Sequence, residues 1–168
     1  MSDILRLIAG GLLALICCYA GLLIKRRYRD RALFYKSACE YAQTMTSELT
    51  LNKTPIPVIA QKFGQGRKGD FERVLSECVE LAKEGKPLDE ISQKVSVPRL
   101  KAEEKKEILS FLCGSGKSAL NDQLSQVAHY REKFEQRRKK CEDDSKKLGG
   151  MFFKLCVLLG IAIMLILA

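Results

Sequence analysis

The chain of 168 residues holds a single histidine and no C-x-x-C pair among its seven cysteines. A structural zinc site needs paired Cys or His ligands at short spacings, so none can be written here. Nor is there any run of alternating β-branched residues, which excludes a sheet. His129 has no serine, cysteine or carboxylate placed by sequence to partner it, so nucleophilic catalysis has no anchor. Charge is missing from both ends. Of 29 Lys and Arg only Arg6 and Lys154 lie outside residues 25–147, and of 20 Asp and Glu only Asp3 does, leaving that middle stretch at net +8.

What remains is a partition into apolar, polar and apolar. Leu7 to Ile24 is 18 residues without a charge, and Leu155 to Ala168 is 14 more. Crossing about 30 Å of hydrocarbon takes roughly 20 residues of helix. Residues 4–24 and 148–168 each supply 21, with Arg6 and Lys154 near enough to an interface to snorkel. Both are expected to be transmembrane helices. Gly10, Gly11, Gly21, Gly149, Gly150 and Gly160 are small positions where helices can approach in lipid, although Gly-x-x-x-Gly spacing is absent. A cleaved signal peptide is excluded by Lys25, Arg26, Arg27, Arg29 and Arg31, which stop translocation. That block and the run Arg137 to Lys140 with Lys146 and Lys147 both place the middle in the cytoplasm. The cysteines then face a reducing compartment as free thiols, and Cys17 and Cys18 lie too deep in the first span for lipidation.

Residues 25–147 read as an all-α bundle of about six helices. Phe34, Ala38, Tyr41, Met45 and Leu49 share one face of a helix continuing from the first span. Thr54-Pro55 is expected to cap and open a short helix, and Gly64, Gly66 and Gly69 to form a loop. Asp70 is expected to cap a helix with Phe71, Val74, Leu75, Cys78 and Ala82 inward, closed by Gly85. Pro87 opens another carrying Leu88 and Ile91; after Val97-Pro98, Lys101 to Cys113 presents Ile108, Phe111 and Leu112. The last helix starts near Ser118, shows Leu120, Leu124, Val127 and Phe134, and becomes a charged stalk. Residues 54–59 and 86–91 share Pro, an aliphatic and Ile, which two Pro-opened helices explain as well as a repeat does.

Gly114-Ser115-Gly116-Lys117-Ser118 falls short of a phosphate-binding loop. The first glycine of G-x-x-x-x-G-K-[ST] would stand at Phe111, and the preceding segment is a helix rather than a strand. The turn is read as a helix–helix connection with Ser118 as N-cap. Glu103, Glu104 and Glu107 are read as a solvated first turn, and His129 as a helix-surface or groove residue. No catalytic, cofactor-binding or metal residue is assigned.

Thr54-Pro55-Ile56, Phe71, Gly85-Lys86-Pro87-Leu88, Gly116 with Gln123 seven later, and Lys147-Leu148-Gly149-Gly150 give a pattern that resembles the stage III sporulation protein AB family along essentially the whole chain. The family pattern has an acidic residue three after the second glycine, where this chain has Ala119. The resemblance implies a soluble part similar to the cytoplasmic domain of type II secretion F proteins. It further implies a non-enzymatic scaffold in the channel complex between mother cell and forespore, seated in the mother-cell membrane around the forespore. The implied partners are the secretion-type ATPase of the same operon and other ring-forming channel proteins. The helix from Asp70 to Glu84 and the basic last helix are the candidate contact surfaces. The alternative is a membrane-tethered basic module that binds nucleotide through Lys117, or anionic lipid or nucleic acid through its charge.

Overall fold

A computed structural model of the chain describes residues 2–97, 100–114 and 120–167, leaving outside the description the side chains at 2–10, 13, 14, 17, 18, 88, 148, 149, 152, 153, 156, 160, 163, 164, 166 and 167. Six α-helices run through these residues: α1 Ser2–Ser47, α2 Ile56–Gly64, α3 Asp70–Lys83, α4 Leu88–Lys94, α5 Ala102–Gly114 and α6 Leu120–Leu167. A π-helical turn, Glu48–Asn52, ends α1. No strand occurs among the described residues, and the fold is all-α.

The chain divides into two compact units. One comprises residues 1–32 and 139–168, so the two apolar chain ends share a unit; the other is residues 33–138. In the first unit Leu15, Ile16 and Tyr19 of α1 and Leu158 and Leu165 of α6 are all more than half exposed. Gly21 is buried. Among the described residues no helix is long and apolar enough to cross a membrane. Much of both expected spans, including Arg6, Cys17, Cys18, Gly149, Cys156 and Gly160, has side chains outside the description.

The second unit is a bundle around an aromatic core. The expected face of α1 is buried at all five positions, and Tyr35 and Ala42 widen it. Tyr41 packs edge-on against Phe63 of α2 at 5.2 Å and Phe111 of α5 at 5.9 Å, and Phe34 against Phe71 of α3 at 5.4 Å. Phe111 meets Phe134 and Tyr130 of α6, each at 5.2 Å. Such pairs contribute about 0.5–1.5 kcal/mol each beyond the apolar area they bury. On α5 the structure turns Leu109 into the core and leaves Leu112 half-buried, because Ile108, Leu109 and Phe111 already fill the inner face.

Local chemistry corrects two expected caps. The N-cap of α2 is Pro55, with φ −59° and ψ 138°, and helix begins at Ile56. The Thr54 hydroxyl is engaged elsewhere: it donates to Glu48 Oε2 at 2.7 Å, and Asn52 Nδ2 donates to the same oxygen at 3.1 Å. These bonds, Thr54 first, hold the Glu48 carboxyl below its ordinary range. The N-cap of α3 is Gly69, and Asp70 is the first helical residue, where its carboxylate still complements the helix dipole.

The end of α3 conforms to expectation. Gly85 has φ +73°, its N–H donates to Ala82 O, and Lys86 N–H donates to Leu81 O at 3.2 Å. That is a Schellman closure, which requires a left-handed residue at this position. A Cβ at Gly85 would meet nothing within 4 Å, so Gly85→Ala tests backbone strain alone. It is expected to lower stability by about 1 kcal/mol, read from thermal melts of the full chain in detergent.

Candidate docking groove

The widened turn at the end of α1 sets the site. In a π-helical turn the chain advances by an extra residue, and here it delivers Lys53 in the left-handed region at φ 49°. Thr46 and Thr50 also bond back to the carbonyls of Ala42 and Thr46, a pattern that bends helices. The Pro55-Ile56-Pro57 segment follows directly, with both prolines exposed and Ile56 half-buried. A groove of about 620 Å³ opens between it, α3, α5 and the start of α6.

Tyr41, Leu75 and Cys78, all buried, form the floor of this groove. Ile56, Val79, Ala82 and Leu112 line its sides, with Lys53 and Lys83 the charged lining residues. No Asp or Glu lines it among the described residues. Burial drives the Tyr41 phenol well above its ordinary range, so it stays neutral. The sequence placed Ala82 in the core; the structure leaves it exposed to the groove. Lys53, Ile56 and Leu112 were not singled out by sequence as surface determinants. The signal available was Pro-Ile-Pro, a segment whose second proline has no N–H to donate.

A second, more polar cleft of about 730 Å³ lies along the outer face of α3, lined by Arg67, Lys68, Arg73, Glu80 and Lys83. Here Arg67 bonds Glu40 at 2.8 Å and lies over the Phe63 ring at 4.2 Å. These exposed contacts contribute little to stability.

The acidic first turn of α5 is not solvated as its sequence suggests. Glu103 is exposed, but Glu104 is buried and Glu107 nearly so. Glu104 Oε2 accepts from the Lys101 N–H at 3.0 Å, half of a capping box. Its other oxygen takes Arg137 Nη1 of α6 at 2.9 Å, while Arg137 Nη2 and Lys133 Nζ go to Glu107. Arg137, read from sequence as part of a basic membrane flank, is thus turned inward to hold α6 on α5. His129 is exposed on α6 beside Tyr130. Gly114 ends α5, and Ser115, Gly116, Lys117, Ser118 and Ala119 lie outside the described residues. Among the described residues no three Cys, His, Asp or Glu side chains converge on a point that could hold a metal ion.

The family model described as Stage III sporulation protein AB (spore_III_AB) matches residues 6–168. The chain belongs to that family. Membership carries a role in sporulation, and the match spans both units, the apolar ends included. Neither the curated proteins nor the solved structures contain a match to this member of the stage III sporulation protein AB family.

Proposed function

We propose that the chain is a non-enzymatic membrane platform of the channel complex between mother cell and forespore, with its basic bundle in the cytoplasm. The observation that carries this reading is where large apolar side chains remain exposed. They concentrate on the two chain ends, from Leu12 to Leu23 and from Met151 to Leu165. So much contiguous apolar surface belongs in lipid or against protein. In sequence those ends are the two runs flanked on the domain side by lysine and arginine.

A platform acts by holding partners, and the groove is the surface suited to one. Its apolar floor, two lysines and lack of a described carboxylate favour an amphipathic segment bearing acidic residues. The partner class is the secretion-type ATPase of the same operon, or another ring-forming channel protein. Ala82→Glu tests this, because Ala82 is exposed and the bundle tolerates the change while the groove gains a negative charge. Co-purification of the ATPase with the detergent-solubilised chain is expected to fall at least about tenfold, by repulsion and burial of an unpaired charge. Undiminished recovery would remove the groove from the proposal. A reporter fused after Lys83 should stay cytoplasmic; export would overturn the topology on which the platform rests.

A further inference from the structure

Cys78 and Cys113 are separated by 35 positions in sequence, yet both line the groove, and each thiol acts on the other's titration. Cys78 projects from α3 and is only 2 % exposed, Cys113 projects from α5 and is half-buried, and neither is in a disulfide. We infer that this pair is a dithiol modification site, which a hydroperoxide entering the groove converts to a Cys78–Cys113 disulfide. The inference does not depend on the groove docking a partner.

The two sulfurs have unequal roles. The Cys78 thiol lowers the Cys113 pKa against the opposing effect of burial. The Cys113 thiol, and then burial, push Cys78 up. Cys113 is therefore the nucleophile and the more accessible of the two. Its thiolate attacks one peroxide oxygen: an S–O bond forms, the O–O bond breaks, and the other oxygen leaves as an alcohol, or as water from hydrogen peroxide, after taking a proton. The Cys113 sulfenic acid is then attacked by Cys78. An S–S bond forms, the S–O bond breaks, and the hydroxyl leaves as water with the Cys78 proton. Two electrons pass from the thiols to the peroxide.

The protein supplies an internal comparison. Cys39 is also half-buried and free, but burial raises its pKa. Cys141 is buried. The experiment treats the reduced full chain in detergent with hydrogen peroxide, alkylates under denaturing conditions, and maps the tryptic peptides by mass. The expected product is a cross-linked peptide pair containing Cys78 and Cys113, with the Cys113 thiol lost at least about tenfold faster than that of Cys39. In Cys78→Ser the disulfide is absent, and a sulfenic acid at Cys113 is trapped by dimedone. Recovery of Cys78 and Cys113 as free thiols after Cys39 has reacted would overturn the inference. So would over-oxidation of Cys113 to sulfinic acid as readily in the wild type as in Cys78→Ser, since a resolving thiol must prevent it.

Discussion

Replacing Arg137 by alanine is expected to destabilise the bundle by about 3 kcal/mol, although the residue sits in a basic run that looks like surface. The guanidinium bonds both Glu104 and Glu107, whose side chains are only 9 % and 15 % exposed. Removing it takes one cation away from two largely buried carboxylates at once. A buried charge without its partner costs more than the pair gains, so most of the loss is the penalty on what stays behind. The effect belongs at the lower end of such losses because Arg137 itself is 34 % exposed. Neutralising all three groups together, Arg137→Met with Glu104→Gln and Glu107→Gln, should recover stability to within about 1 kcal/mol of the wild type. Denaturant melts of the three proteins in one detergent measure both numbers. A triple variant no more stable than Arg137→Ala would mean that the arginine acts through packing rather than charge.

Phe111→Ala is expected to be more damaging, at about 4 kcal/mol. Phe111 is fully buried and touches rings from two other helices: Tyr41 of α1, and Tyr130 and Phe134 of α6. Truncation removes its own apolar area and opens a cavity that rigid rings cannot relax to fill. Domains of this size have about 5–15 kcal/mol of stability in all, so the melting temperature should fall on the order of 20 °C. Phe111→Leu, which keeps most of the volume, should cost less than half as much. Equal losses in the two variants would show that the ring geometry, rather than filled space, holds the centre together.

The helices were legible in the sequence wherever burial follows a 3.6-residue period. Phe34 to Leu49 and Phe71 to Cys78 are such faces, and the left-handed Gly85 closes α3 where its type demanded. The apolar ends were legible as composition. What escaped depended on residues far apart in the chain. Glu104 and Glu107 looked like a solvated first turn because dipole logic sees only their own helix, whereas Arg137 arrives from 33 positions away. Thr54 looked like a cap because nothing local shows that Glu48, six residues back, takes its hydroxyl. Of the groove, only the Pro-Ile-Pro segment left a mark in the sequence. It is a space bounded by Pro55 to Pro57, α3, α5 and the start of α6, and its width is a property of the backbone rather than of any motif. The two thiols on its lining share no spacing that a pattern could register.

The unbroken course of α1 and α6 has a mechanical consequence. Each is a single helix, of 46 and 48 residues, and the bundle unit holds residues 33–47 of the first and 120–138 of the second. Sharp bends in a helix need a proline, a paired glycine and serine, or a bulge, and no proline interrupts either rod. Within residues 33–138 each therefore acts as a stiff strut against which the shorter helices pack.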